Sequence, residues 1–244
     1  MSREFLSADW RYLAMLNFRV PPEWLAPFVP AGTELDLWDD AAYVSLVGFH
    51  FRDTRLFGVP IPFHRTFEEV NLRFYVRRTV SGTVRRGVTF LRELVPRPAI
   101  AIIAQLTYNE PYRAVAMRHR IDLASANATP ALVEYGWRGS SAWGRMRVEA
   151  AGDAKPLQPG SEEEFITEHF WGYTRQRNGS TVEYEVRHPP WRVWQLRSVD
   201  LDDDSMVFDA PFAGVLRRPP HSAFLADGSA VSLYSPTVLA GTHT

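Results

Sequence analysis

From Glu69 to Val76 the chain alternates strictly between polar and apolar side chains. A period of two belongs to a β-strand, whose successive side chains point to opposite faces. Val70, Leu72, Phe74 and Val76 therefore share one face, and Glu69, Asn71, Arg73 and Tyr75 share the other. That second face carries a carboxylate, an amide, a guanidinium and a phenol. It looks either at bulk water or into a pocket, and alternation alone does not decide between them.

Runs of this type dominate the sequence. They cover 12–20, 42–51, 67–78, 85–94, 115–123, 131–139, 144–150, 172–177, 180–188, 191–199 and 230–235. All are rich in Val, Tyr, Phe and Trp, which fit a pleated, half-buried surface. Ser81-Gly82, Asn178-Gly179 and Asp227-Gly228 lie between such runs and read as hairpin turns, since Gly and Asn tolerate positive φ. So many strands leave exposed edges unless the sheet closes on itself. The expectation is a β-rich α+β fold with a closed or nearly closed sheet. Two short helices are expected, at 21–30 with a proline in its first turn and at 161–170 with Ser161 and Glu164 as a capping box. The stretch 97–109 reads equally as a buried helix or a buried strand, and 151–164 reads as a surface loop.

The length of 244 residues and 45% hydrophobic content suit one domain with ample core material, and we expect a single domain over 1–244 with a loosely attached tail at 237–244. A net charge of −1 gives no electrostatic case for nucleic acid or for an acidic membrane surface. There is no cysteine, which excludes disulfides, thiolate metal sites and cysteine nucleophiles. The first twenty residues carry charges throughout, unlike a signal peptide, and the longest apolar run (99–104) is far short of the ~20 residues of a membrane span. The expected location is the cytoplasm.

The seven histidines show neither HxH nor HExxH spacing, so no metal is expected. No GxSxG, P-loop or GxGxxG is present, which leaves hydrolase, phosphate-cradling and dinucleotide readings without their local signal. Arg92 and Glu93 point to opposite faces of an apolar segment, where an unpaired charge is costly to bury. Glu93 facing Arg73 on an adjacent strand would satisfy both, as a structural pair or as a ligand-binding one. Tyr108, Asn109, Glu110 and Tyr112 cluster around a proline and form either a pocket gate or an ordinary hydrogen-bonded loop.

Taken together, the segments "FLSADWRYLAMLNFRVPPEWLAPFVPAGTELD", "YVSLVGFHF", "FEEVNLRFYV", "RRGVTFLREL" and "YTRQRNGSTVEYEVRHPPW" resemble the YqjF-like family of bacterial proteins. That family is similar to acetoacetate decarboxylase. The resemblance implies a cone-shaped, largely antiparallel β-barrel around a small-molecule cavity. The related decarboxylases carry an Arg-Glu pair, then a proline and two adjacent lysines, one of which forms a Schiff base. Here Arg92-Glu93 and Pro96 match, but Arg97-Pro98 follows, and the only lysine of the chain is Lys155. Arginine stays protonated and cannot serve as that nucleophile.

The resemblance thus implies the container without the Schiff base: a cavity for a small organic acid or carbonyl compound, with no cofactor. Glu69 and Glu93 are the candidate catalytic residues, acting as a lysine-independent lyase, isomerase or hydratase would require. Asn71, Arg73, Tyr75, Arg92, Arg97 and Tyr108 are the candidate ligand-binding residues. The alternative is a non-catalytic sensor or interaction protein, its interior filled by side chains such as Phe74, Phe90 and Trp191. A homodimer is a further expectation.

Overall fold

The computed structural model describes residues 3–60, 65–99, 101, 109–123 and 130–239. Strands make up most of it. In chain order they are β1 (Glu4–Val20), β2 (Glu34–Leu35), β3 (Ala42–Leu56), β4 (Val59–Pro60), β5 (Phe67–Val80), β6 (Thr83–Val95), β7 (Tyr112–Ala114) and β8 (Met117–Leu123). There follow β9 (Pro130–Arg138), β10 (Trp143–Pro156), β11 (Trp171–Arg175), β12 (Thr181–Arg187), β13 (Arg192–Asp203), β14 (Ser222–Tyr234) and β15 (Thr237–Leu239).

Their hydrogen-bonded order is β15-β12-β11-β6-β5-β3-β1-β14-β13-β10-β9-β8. Most neighbours are antiparallel, but β11 and β7 each run parallel to β6. A further pairing joins β12 to β14 through Val186↔Leu233 and Arg187↔Ser232. The path β12-β11-β6-β5-β3-β1-β14 therefore returns to its own start. The continuation β13-β10-β9-β8 forms a second layer against the outer surface of β1, β3 and β5.

This layering settles where the two faces of β5 point. Val70, Leu72, Phe74 and Val76 join a cluster with Val133, Tyr135, Trp137 and Met146 of the outer layer. Glu69, Asn71, Arg73 and Tyr75 face the other way and are also buried. Every residue of β5 from Phe67 to Val76 is buried, so neither face meets bulk water.

Local chemistry explains the short elements. Pro22 opens a four-residue helix (Pro22–Leu25) that passes into a 3-10 turn, Ala26–Phe28. Ser161 caps the helix Glu162–Thr167, its hydroxyl accepting from the Glu164 amide at 3.2 Å. Glu164 turns back to accept from the Gly160 amide at 2.7 Å, one residue earlier than in a regular capping box. Ser81 and Gly82, at φ of 49° and 81°, form the β5–β6 hairpin turn.

Two local expectations are corrected. The loop expected over 151–164 begins only after Pro156, because β10 continues past a register shift to pair Lys155 with Val193 and Pro156 with Arg192. Asp227-Gly228 is no hairpin turn either, since it lies inside β14 with Gly228 opposite Arg11. Gly228 has φ of 79°, and a Cβ there would stand 2.0 Å from the Trp10 carbonyl oxygen. Positive φ here serves a kink in a strand rather than a chain reversal. Thr237–Leu239 pairs with β12 as β15. Most of the 97–109 stretch lies outside the described residues. No helix among the described residues is long and apolar enough to cross a membrane.

Candidate functional site

The inward faces of β1, β3, β5, β6, β11, β12 and β14 surround a cavity of about 310 Å³. Glu69, Asn71 and Arg73 line it from β5, and Glu93 lines it from β6. These are four of the sequence-derived candidates, brought together on one wall. Asn71 and Glu93 are direct cross-strand partners.

A bulge accounts for that pairing. The β5–β6 register shifts between Leu72 and Arg73, so Leu72 faces Arg92 while Arg73 faces Phe90. The extra residue changes the parity of β6. Val88, Phe90 and Glu93 line the cavity, whereas Leu91 and Leu94 pack into the outer cluster. Arg73 accordingly does not face Glu93, as the sequence suggested, and forms no ion pair among the described residues. It donates to the Ile166 carbonyl at 3.2 Å, and its Nε has no partner.

The other candidates stand elsewhere. Arg92 is carried to the outer side by the bulge and pairs with Asp209. Arg97 is exposed and is not part of the cavity wall. Tyr75 is buried, with its hydroxyl 2.6 Å from Ser45 Oγ and its ring packed on His169 at 4.7 Å between centroids. It supports a lining residue rather than lining the cavity itself. Tyr108 lies outside the described residues. Lys155 is exposed on β10, so no lysine lines the cavity among the described residues.

Several lining residues were not singled out in the sequence. Glu110 and Tyr112, seen there only as part of a loop cluster, complete the carboxylate wall beside Tyr184. Tyr112 donates to Glu69 Oε2 at 3.1 Å and Asn71 Nδ2 to Glu69 Oε1 at 2.9 Å. Tyr184 donates to Glu110 Oε1 at 2.6 Å. His169 reaches the cavity just beyond the Glu162–Thr167 helix, and His188 stacks on Trp191 at 4.2 Å. A lone histidine without metal spacing leaves no sequence signal, so His169 was not legible there.

Removal from water dominates the electrostatics. Burial pushes the Glu69 carboxyl up to about 7, against the hydrogen bonds from Asn71 and Tyr112. Burial pushes Glu110 to about 7 as well, against those from Tyr184 and Thr174. Glu93 is held well above the ordinary carboxylate range by burial and by the neighbouring Glu110 and Glu69. Burial lowers His169 to about 4, leaving a neutral imidazole. Its Nε2 stands 3.7 Å from Asp36 Oδ2, too long for a hydrogen bond.

Most buried polar atoms without partners among the lining residues belong to the wall of β5, Glu93 and His169, with Trp10 Nε1 and Thr54 Oγ1 further along. Asn71 Oδ1, Arg73 Nε, Glu93 Oε2 and both nitrogens of His169 have none. Their residues are each at most 8% exposed. Buried polar groups are ordinarily satisfied, so a convergent set of orphans marks a place for ligand groups or water. The opposite end is predominantly apolar, walled by Phe49, Phe51 and Phe67 with the exposed Phe57 near it, its polar atoms being the Thr54 hydroxyl and the Trp10 indole nitrogen. Phe90 and Trp191 form walls rather than filling the space, and Phe74 belongs to the outer core.

Solved structures with this fold are similar over nearly the whole chain. Acetoacetate decarboxylase from Legionella pneumophila superposes with a TM-score of 0.68 at 12% identity, covering 99% of this chain and 90% of that one. The enduracididine biosynthesis enzyme MppR, complexed with the condensation product of pyruvate and imidazole 4-carboxaldehyde, gives 0.68 at 11% identity, covering 99% and 92%. An acetoacetate decarboxylase-like enzyme from Sphingomonas wittichii RW1 gives 0.66 at 12% identity, covering 98% and 94%. At such identities the likeness establishes a shared fold. No curated protein sequence matches significantly. The DUF2071 family of uncharacterized conserved proteins matches residues 7–232, and the chain belongs to this YqjF-like family.

Proposed function

We propose that the ring of strands is a closed barrel whose cavity binds a small organic acid or carbonyl compound, without Schiff-base chemistry. The observation that carries this reading is Arg73. It is a buried guanidinium beside a cavity, with one carbonyl contact, the Tyr75 ring 5.7 Å from its Cζ, and no ion pair among the described residues. A buried charge without a counter-charge is costly, and a ligand carboxylate would supply the missing charge-assisted hydrogen bonds. Asn71 Oδ1 and Glu93 Oε2 add further unpartnered atoms beside it.

The same arrangement suits proton transfer at the carbon next to a carbonyl. Glu69, with its carboxyl at about 7, is matched to accept and return a proton near neutral pH. In that step the C–H bond breaks towards the Glu69 carboxylate, and its electron pair becomes the C=C of an enolate. The charge collects on the carbonyl oxygen, where the protonated Glu93 carboxyl can donate a hydrogen bond. Enolisation, or hydration of a carbonyl compound, fits these residues. The likeness to MppR, crystallised with pyruvate, supports an oxo acid as the ligand class.

The alternative is binding without turnover. Calorimetric titration with 2-oxo acids, followed by NMR detection of deuterium uptake at C3, the carbon next to the keto group, in heavy water, separates the two. Binding by the native chain with loss in a folded Arg73→Leu variant is the expected result. Exchange that disappears in Glu69→Gln would assign the proton to Glu69, and binding without exchange would leave a sensor. Binding that survives Arg73→Leu unchanged refutes the proposed pose.

A further inference from the structure

The cavity is divided lengthwise, and the division reads as a second half of the ligand. On β3 and β5 the paired residues pass from Val47↔Asn71 through Phe49↔Glu69 to Phe51↔Phe67. The wall thus changes from amide and carboxylate to purely aromatic within four residues of β5, ~13 Å at a strand rise of ~3.3 Å per residue. Beyond it the aromatic end is continuous. Phe51 stacks on Phe67 at 4.6 Å between centroids, and Trp10 lies 5.0 Å from Phe49. Leu6 and Leu56 extend the lining towards Phe57, a hairpin residue 52% exposed, with the Thr54 hydroxyl between Phe51 and Leu56 as a polar point in an otherwise apolar wall.

Volume sets the size of the occupant. An apolar cavity of ~150 Å³ accommodates a benzene ring. A space of about 310 Å³ scales to roughly a dozen non-hydrogen atoms. Pyruvate has half that number, so a short acid on Arg73 would leave the aromatic end unfilled.

Resting on the acid-binding reading above, we infer that the ligand class is an organic acid with a hydrocarbon tail of roughly six to nine carbons, its head at Arg73 and its tail along Phe49, Phe51 and Phe67. Burying each methylene of the tail against these rings adds to affinity as apolar transfer does. The acid head fixes direction and the tail supplies the larger share of binding. Charge complementarity at one end and aromatic walls at the other exclude the reverse pose, which would place hydrocarbon on an unpaired guanidinium.

The test is isothermal titration calorimetry of the full chain with 2-oxo acids of increasing length, from pyruvate to 2-oxodecanoate, at one pH. Affinity should rise about fourfold per added methylene, equivalent to ~0.8 kcal/mol each, and level off near the length that fills the cavity. A Leu6→Trp variant, which narrows the apolar end at a partly exposed position, should flatten the series, lowering the affinity for 2-oxodecanoate more than that for pyruvate. Equal or falling affinity with length, with pyruvate still bound, overturns the tail and leaves acid binding standing. Failure of every acid to bind overturns both.

Discussion

Replacing Glu69 by glutamine should make the protein more stable at neutral pH, and by an amount that depends on pH. In the fold its carboxyl is displaced by burial from 4.5 to about 7. A carboxyl whose folded pKa lies above its unfolded value binds more protons in the native state between the two. Stability is therefore complete below about 4.5, falls as pH rises from there to about 7, and is constant above. At ~1.4 kcal/mol per pH unit the native chain forfeits about 3 kcal/mol over that interval through this group. Glutamine keeps the size and one acceptor but never ionises. Its oxygen can still take the Asn71 hydrogen bond, and its amide can donate to the Tyr112 hydroxyl, so below pH 4.5 the two chains should match within ~1 kcal/mol. At pH 8 the variant should melt ~6–12 °C higher, using ~2–4 °C per kcal/mol for a chain of this size. Differential scanning calorimetry from pH 4 to pH 8 reads both curves. A gap that is the same at both ends, or a variant less stable at pH 8, would refute the claim that burial dominates this carboxyl.

Three further outcomes are expected. Gly172→Ala would put a Cβ about 2.1 Å from Tyr184 Cζ, displacing the ring that bonds Glu110; a loss of ~1–3 kcal/mol by chemical denaturation is expected. Ser161→Ala removes the cap of the Glu162–Thr167 helix and should cost ~1 kcal/mol in the same assay, without changing affinity for a bound acid. Arg92→Ala and Arg97→Ala should each leave that affinity within twofold by calorimetry, because neither side chain lines the cavity.

The period-two pattern of β5 was fully legible, and with it the set Glu69, Asn71 and Arg73 as neighbours on one face. Which way that face points was not, because the answer depends on the outer layer of β8, β9, β10 and β13, whose packing on β5 is non-local. On β6 the pattern misled for a definite reason. A bulge near Leu91 and Arg92 changes parity in mid-strand, so Phe90 and Glu93 share a side that strict alternation would have denied them. Glu110 was visible only as part of a cluster that read either as a pocket gate or as a loop, while Tyr184 and His169 come from distant segments where nothing local marks a lining residue. Asp227-Gly228 shows the limit of turn chemistry: the pair specifies positive φ, which here bends a strand instead of ending one.

The complete burial of β5 from Phe67 to Val76 has a consequence for recognition. A strand packed on its outer face, with its inward carboxylate tied by Asn71 and Tyr112 and its guanidinium by the Ile166 carbonyl, has little freedom to rearrange when a guest arrives. The row Glu69, Asn71, Arg73 is therefore pre-organised: the conformational entropy of ordering it is lost on folding and need not be lost again on binding. Val70, Leu72 and Phe74 on the far side anchor the backbone from which that row projects into the cavity. Substitutions in the outer layer, remote from any ligand, would loosen this mould and register as weaker binding before they register as unfolding.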